Sequence, residues 1–353
     1  MIKKLLITKD FNNKIKFGPS ASIINELNDK QNDNEEIFIL DHCSSNKINL
    51  IDKKINYIII KNFYDLVKKF KTILNLVRNT NQIEIHSIFD ALLFFPSIII
   101  LKILRKKFKI YLRGMVNDNV LVKKKLIKIT YLFLAKPFIK DATIVFTSKY
   151  EKKNSIKFFK NNKYLVINNK IDNKLIKIKN KKIYKKPNQL KILFFSNLLW
   201  KKNFNFVYQV LKELTFSIEL NIYGKCFINQ NDFNRMIIEL KKKHNIKYYN
   251  YYSNKDKRNI FFSNHLFFLP TIDENFGHAI VESFLHYRPC LLSNKTPWKD
   301  NGKYNAGNSL SLKNKKLFSK SIKYFYSMDD RKFNKICNNS KKYIYQKLVS
   351  KNF

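Results

Sequence analysis

Short apolar runs alternate along the whole chain with longer stretches whose apolar positions recur every three or four residues. In the first half the runs KKLLIT, EIFIL, NYIII, IEIH, FKIYL and TIVFT have strand length. NFYDLVKKFKTILNLV, between the third and the fourth, has helical spacing. The second half repeats the syntax with LKILFFS, IELNIYG, NIKYY, HLFFLP and PCLLS as strands. There NFVYQVLKEL puts Val207, Val210, Leu211 and Leu214 on one helical face. Strands that alternate with helices predict a parallel sheet covered by helices, because a parallel neighbour is reached only by a crossover.

Two such series fit a length of 353 residues, more than one ordinary core uses. The expected fold is α/β, with two Rossmann-like doubly wound domains over 1–167 and 190–353 and a terminal helix in FNKICNNSKKYIYQKLV. Between them NNKIDNKLIKIKNKKIYKKPNQ, residues 168–189, is dense in lysine and asparagine and reads as a linker. Doubly wound sheets bind ligands at the carboxyl ends of their strands, so a cleft between the two domains is the expected site.

Charge raises a different class. The formal net charge is +43, which suits a nucleic-acid binder. Its distribution argues against that: thirty-six basic residues face fifteen acidic ones in 1–180, and thirty-three face eleven in 181–353. The excess is uniform, and lysine outnumbers arginine 62 to 7. Arginine is the side chain that reads bases and phosphates bidentately, so no nucleic-acid partner is expected. Cys43, Cys226, Cys290 and Cys337 lie far apart with no CxxC pair, which predicts free thiols in a reducing cytoplasm. MIKKLLITKDF turns polar after a strand-like run, so no signal peptide is expected. The longest apolar run, ALLFFPSIIIL, is eleven residues with a proline and is too short to span a bilayer.

The chemistry gathers in PTIDENFGHAIVE, residues 270–282. Only six glycines occur in the chain, against a usual share of ~7%, and Gly277 falls here between Glu274 and Glu282. HLFFLPT reads as a buried strand and GHAIVESFLHY as a helix with Ala279, Ile280, Phe284 and Leu285 inward. A glycine at that turn would let the backbone approach a ligand, and the helix start would attract a diphosphate. Glu282 then lies about 7.5 Å along the helix axis and Glu274 just ahead of the first turn. By spacing alone the pair is also compatible with a dipole-facing residue and a solvated helix position.

In its PT-x-x-ENFGH form this Glu-x7-Glu stretch resembles the signature of glycosyltransferase family 4, whose enzymes have the GT-B fold. The resemblance runs through Pro289 to TPW at 296–298, and includes FFSNLLWKKN at 194–203, IYG at 222–224, LRGM at 112–115 and FGPSASI at 17–23. It covers most of the chain and implies a retaining transfer from a UDP- or GDP-sugar to a glycan or lipid-linked acceptor, in lipopolysaccharide or surface-polysaccharide synthesis. Carried over by position, Glu274 and the Phe276 and Gly277 N–H groups would hold the sugar, Asn275 and His278 would line the sugar-donor site, and Glu282 would accept from the ribose hydroxyls. Lys202 would neutralise the leaving diphosphate. No Asp-x-Asp motif is present, so neither a metal nor another cofactor is expected.

Three positions depart from the family pattern. Asn197 stands where an arginine usually flanks the diphosphate, and Lys201 beside it is either a compensating cation or, as the lysine-rich composition favours, a surface lysine. Asn250 replaces a glycine near the base, and asparagine tolerates left-handed geometry. Tyr287 replaces another glycine before Arg288. Asn197 and Tyr287 suggest a rival reading, a sugar-nucleotide binder of weakened activity.

In the first half the resemblance puts Gly18, Arg113 and Gly114 on the cleft. His86 ends the strand IEIH, either as a satisfied polar residue or as a contact to a sugar. Residues 102–140 carry twelve basic residues and one acidic one among apolar groups, as in KKKLIKITYLFLAKPFIK. That composition suits a helix with a lysine-rich outer face, or peripheral contact with an anionic membrane on its cytoplasmic side.

Overall fold

A computed structural model describes residues 2–9, 23, 35–42, 55–116, 125–181, 184–253 and 255–350. Gly18 and Cys43 lie outside the described residues. The chain divides into two units, Met1–Ile171 and Asp172–Phe353.

The apolar runs become strands. In the first unit β1 (Ile2–Lys9), β2 (Glu35–His42) and β3 (Ile55–Ile60) precede two short helices, α1 (Phe63–Lys68) and α2 (Phe70–Arg78). The expected single helix thus breaks at Lys69, whose ammonium donates to the Ile59 carbonyl at 2.7 Å. β4 (Gln82–Ile85), α3 (Ala91–Ile103), β5 (Lys109–Tyr111), α4 (Lys125–Ile139), β6 (Thr143–Phe146), α5 (Lys149–Ser155) and β7 (Tyr164–Val166) follow. All strands pair in parallel in the order β3-β2-β1-β4-β5-β6-β7. The long apolar run is α3, capped by Asp90, whose side chain accepts from the Leu92 N–H.

The second unit opens with α6 (Asn173–Ile176) and builds a six-stranded parallel sheet in the order β10-β9-β8-β11-β12-β13. Its strands are β8 (Lys191–Phe195), β9 (Glu219–Tyr223), β10 (Asn245–Tyr249), β11 (Leu266–Leu269), β12 (Cys290–Ser293) and β13 (Gly307–Leu310). The helices are α7 (Phe204–Lys212), α8 (Gln230–Lys241), α9 (Lys257–Phe262), α10 (His278–Leu285), α11 (Lys315–Ser327) and α12 (Asp330–Ser350). Every residue of β11 is buried, as a strand covered on both faces requires. In each sheet the order reverses beside the first strand, between β1 and β4 and between β8 and β11. These are the switch points where doubly wound sheets take ligands.

The stretch read as a linker, 168–189, behaves differently after the division at 171/172. Lys341 Nζ donates to the Ile176 and Ile178 carbonyls at 2.8 and 3.4 Å, and Arg288 Nη2 to the Lys181 carbonyl at 3.3 Å. The buried Lys185 ammonium donates to the carbonyls of Lys186, Tyr326 and Met328. The segment is therefore docked on the second unit, because backbone carbonyls replace the water that a lysine-rich composition implies.

Candidate active site

Two loops build the site in the second unit. The first leaves β8 after Phe195, makes a tight turn over Trp200–Lys202 and enters α7 through Asn203, which is left-handed at φ 58°. The Asn203 amide donates to the Pro270 carbonyl at 3.1 Å. The second leaves β11 after Leu269 and runs to Gly277 at the head of α10. β8 and β11 are neighbours, so both loops sit at the switch point. They are zipped together: the Thr271 hydroxyl and the Ile272 N–H both donate to the Lys201 carbonyl at 2.8 Å. The Glu274 N–H donates to the Lys295 carbonyl at 3.0 Å, and the Ser293 hydroxyl to the Thr271 carbonyl. Backbone bonds thus fix where Lys201, Lys202 and Glu274 begin.

Their charges meet. Lys202 Nζ pairs with Glu274 Oε2, with both side chains largely buried. Burial pushes the Glu274 carboxyl up, but the charges of Lys202, Lys201 and His278 outweigh it and hold the group below the ordinary range. Lys201 is pushed below its usual value by burial and by Lys202, against the pull of Glu274 and Asp273. It is therefore part of this cluster and not the surface lysine its composition suggests.

Gly277 caps α10 at φ 73°, and no side chain caps that helix. A Cβ there would lie 2.8 Å from Ile280 Cδ1 and 3.0 Å from Glu274 Cγ. Gly277→Ala is accordingly expected to cost about 1–2 kcal/mol from the left-handed backbone alone and to displace Glu274; chemical unfolding of the variant checks it. Phe276 is buried, and its carbonyl accepts from Trp298 Nε1. Asn275 is buried, while His278 lies partly exposed with its ring 4.8 Å from that of Phe276.

Glu282, the fifth residue of α10, is not solvated. Both its oxygens accept from Lys257 Nζ at 3.0 Å. Tyr252, whose ring is 4.5 Å from that of Phe195, has its phenol pushed up by burial and by the Glu282 charge. Lys257 was not singled out from the sequence, because one lysine among 62 carries no signal.

The departures from the family pattern acquire structural reasons. The Asn197 side-chain oxygen accepts from the Lys225 N–H at 3.1 Å, so it tethers two strand-end loops. Gly224 beside it is required: a Cβ would lie 2.3 Å from the Ser196 carbonyl oxygen. Asn250 is exposed and is not among the left-handed residues, contrary to expectation, and its side chain accepts from the Tyr248 hydroxyl at 3.3 Å. Tyr287 is left-handed at φ 61°. Its N–H donates to the Phe284 carbonyl and that of Arg288 to the Ser283 carbonyl, a helix ending that glycine normally occupies. The Lys341 ammonium lies 5.4 Å from the Tyr287 ring centroid.

A second polar cluster stands at the switch point of the first unit. Arg113 and Gly114 are consecutive left-handed residues at φ 44° and 78°. The buried Glu151 carboxylate holds their loop by accepting from the Gly114 and Thr147 N–H groups and the Thr147 hydroxyl. Arg113 Nε donates to His86 Nδ1 at 3.0 Å and Nη1 to Asn169 Oδ1 at 3.3 Å. The His86 side chain is 1% exposed, and its Nε2 faces Glu84 at 3.5 Å. Glu84 in turn pairs with Lys4 at 3.0 Å. Burial and the Arg113 charge depress His86 to about 4, against the pull of Glu84. A neutral imidazole accepting from Arg113 at Nδ1 orients that guanidinium, while the buried Nε2 has no hydrogen-bond partner among the described residues.

Comparison with known proteins places this architecture. Residues 176–346, within the second unit, match the sequence model of the family Glycosyl transferases group 1. The chain is similar to Alr3699/HepE of Anabaena, solved with UDP and glucose, with a TM-score of 0.72 over 98% of this chain and 95% of that one at 14% identity. It is similar to a glycosyltransferase from Rickettsia africae, with a TM-score of 0.72 over 98% and 93% at 17% identity. WaaG, a glycosyltransferase involved in lipopolysaccharide biosynthesis, matches with a TM-score of 0.68 over 98% and 95% at 11% identity. The fold is GT-B. None of the curated proteins compared with the chain matches it significantly.

Within this GT-B chain the residues expected at the site separate into groups. Lys202, Glu274, Phe276, Gly277 and His278 converge, with Lys201 added. Glu282 stands with Lys257, Asn197 and Asn250 serve their own loops, and His86 and Arg113 form the first unit's cluster. Among the described residues no group of three or more His, Cys, Asp or Glu side chains could hold a metal ion.

Proposed function

We propose that the chain is a retaining glycosyltransferase of family 4 that moves a sugar from a nucleotide donor to a glycan or lipid-linked acceptor without a metal ion. The observation that carries the reading is the Lys202–Glu274 pair beside the glycine-headed start of α10, at the switch point of the second sheet. UDP bound to a protein of this fold, and the lipopolysaccharide role stated for another, support a UDP-sugar and a cell-surface glycan.

In their pair Lys202 and Glu274 neutralise each other. A nucleotide diphosphate carries more charge than one carboxylate, so it competes for the Lys202 ammonium and releases Glu274 to accept from sugar hydroxyls. The bond between the anomeric carbon and the diphosphate oxygen then breaks, and its electron pair goes to the diphosphate. Lys202, Lys201 and the α10 dipole stabilise that growing charge, in the place a divalent cation would take. The acceptor hydroxyl adds to the anomeric carbon on the face the diphosphate leaves, and its proton passes to a phosphate oxygen. Glu282 accepts from the ribose hydroxyls while Lys257, bonded to both its oxygens, orients it.

The test is turnover of UDP-, GDP- and ADP-sugars in EDTA, with the product anomer read by NMR. Release or transfer with retained configuration supports the reading; binding without turnover favours the weakened binder, and no binding of any sugar nucleotide sinks both. Lys257→Met is expected to raise the KM for the sugar donor about tenfold, the loss of one charge-assisted positioning bond, with kcat within twofold. A fall in kcat at unchanged KM would assign Lys257 elsewhere.

A further inference from the structure

A groove of about 640 Å³ lies in the second unit between the Trp200–Lys202 turn, α7 and α8. Lys201, Lys202, Glu274 and Glu282 are not among the residues that line it, so it is separate from the cluster described above. One wall is aromatic. Of the chain's two tryptophans, Trp298 is fully buried, whereas Trp200 is 39% exposed and lines the groove with Tyr208. The other wall is the polar side of α8, where Asp232, Arg235 and Glu239 follow at helical spacings of three and four. The frame is fixed by packing and capping. Phe204 of α7 meets Phe233 of α8 edge-on with ring centroids 5.3 Å apart. The Asn229 side chain caps α8 by accepting from the Asp232 N–H at 3.1 Å, and the Asn203 amide ties the turn to the Pro270 carbonyl.

Charge sets this groove apart from the rest of the surface. None of the twelve described residues that line it is a lysine, although the chain has 62. Its two carboxylates are balanced. Arg235 stands 3.5 Å from Asp232, and Lys212, outside the lining, stands 2.6 Å from Glu239, which also accepts from the Tyr208 hydroxyl. A groove so neutralised gives neither a polyanion nor a polycation the counter-charge it needs. What it offers is a flat apolar ring beside side chains that donate and accept hydrogen bonds. A pyranose ring has the matching chemistry, an apolar C–H face with hydroxyls around its edge. We propose that this groove binds a neutral oligosaccharide, with one pyranose face against Trp200 and hydroxyls on Asn205, Asp232, Arg235 and Glu239. The volume is that of a site for a drug-sized ligand, ~300–1,000 Å³, which in sugar terms is a di- or trisaccharide. Trp200 shares its turn with Lys202, so a bound saccharide sits beside the loop that carries the cation without occupying its site. The proposal concerns binding alone and holds whether or not the second unit transfers sugar.

The experiment is isothermal titration calorimetry of the full chain with maltotriose, cellotriose and chitotriose, each with and without saturating UDP. At least one trisaccharide is expected to bind the wild type, with an affinity that UDP leaves within twofold. Trp200→Leu, which keeps an apolar side chain and removes the ring, should weaken that binding at least tenfold. D232A/R235A should weaken it at least fivefold. Those two side chains are 62 and 79% exposed, so the circular-dichroism spectrum and thermal midpoint of that variant should match the wild type. Absence of binding by all three sugars up to about 10 mM would overturn the proposal, as would an unchanged affinity in Trp200→Leu. Loss of binding in the presence of UDP would overturn it in favour of the sugar-nucleotide site. A tetralysine peptide that binds where the sugars do not would overturn it in favour of a basic protein partner.

Discussion

Lys202→Met is expected to lower kcat about 10²–10³-fold, the loss seen when one preorganised group is removed from a developing anion, ~2.7–4 kcal/mol. Two consequences of the substitution add. The leaving diphosphate loses the cation that meets its growing charge. Glu274, whose carboxyl is held low chiefly by Lys202 against the upward push of burial, also loses its principal partner. In the free enzyme its carboxyl should then titrate at higher pH, so the acid limb of the kcat/KM profile should move upward in the variant. Lys201→Met is expected to cost less, because Lys201 acts on Glu274 without a hydrogen bond to it. The measurement is kcat at saturating sugar nucleotide, together with kcat/KM from pH 5 to 8, for wild type and both variants. A Lys202→Met enzyme within threefold of wild type, with an unmoved acid limb, would show that the ammonium serves only the fold.

The strands and the switch-point geometry were legible because they rest on period and length. Runs such as HLFFLP and LKILFFS are buried on both faces and can be little else in a chain that alternates them with helical stretches. Two strands escaped. β7 is the tripeptide Tyr164–Val166, exposed throughout, so it shows no apolar pattern. β13 begins at Gly307, φ 124°, where a Cβ would lie 2.1 Å from the Cys290 carbonyl oxygen. That glycine marks close backbone approach to β12, a requirement that hydrophobic periodicity does not encode.

In the site, Glu274, Gly277 and Lys202 were legible through the spacing of scarce residue types and the family resemblance, whereas Lys201 and Lys257 were not. A lysine becomes informative only by what it faces, and facing is a tertiary property. Tyr287 shows the converse. Its left-handed backbone is set by the Schellman-type ending of α10, so the position keeps glycine's geometry although the side chain has changed. The docked segment after Asp172 and the apolar outer face of α4 fail composition in opposite directions. Lysines there are solvated by carbonyls, and leucines here are left in water.

Mild acid is expected to destabilise the second unit well before its carboxylates titrate. Burial, with the charges of Lys185, Arg288 and Lys191, depresses His265 to about 3. Burial and the charges of Arg288, Lys341 and Lys257 depress His286 to about 4, against its bond to the Glu282 carbonyl. Both rings are held neutral. His265 Nδ1 accepts from the Lys191 N–H at 2.9 Å, which a protonated ring could not do, and His286 stacks on Phe261 at 4.8 Å. In the unfolded chain each takes a proton near pH 6.5. Below that value the unfolded state binds more protons, so stability is complete above about pH 6.5 and is lost progressively as pH falls toward the folded values. Between pH 7 and 5 each histidine should remove roughly 2 kcal/mol, about 4 kcal/mol together. Glu274, held low in the fold, keeps its contribution throughout this range and loses it only at lower pH. Both tryptophans, Trp200 and Trp298, lie in the second unit, so their fluorescence follows that unit's unfolding. Urea midpoints should therefore fall steeply from pH 7 to 5 in the wild type. They should fall less in His265→Asn/His286→Asn, where an amide replaces each ring's Nδ1 contact without a group that titrates, while His244, also depressed by burial, keeps part of the dependence. A wild-type midpoint as flat as the variant's would mean that these rings are charged in the fold, contrary to the acceptor role of His265 Nδ1.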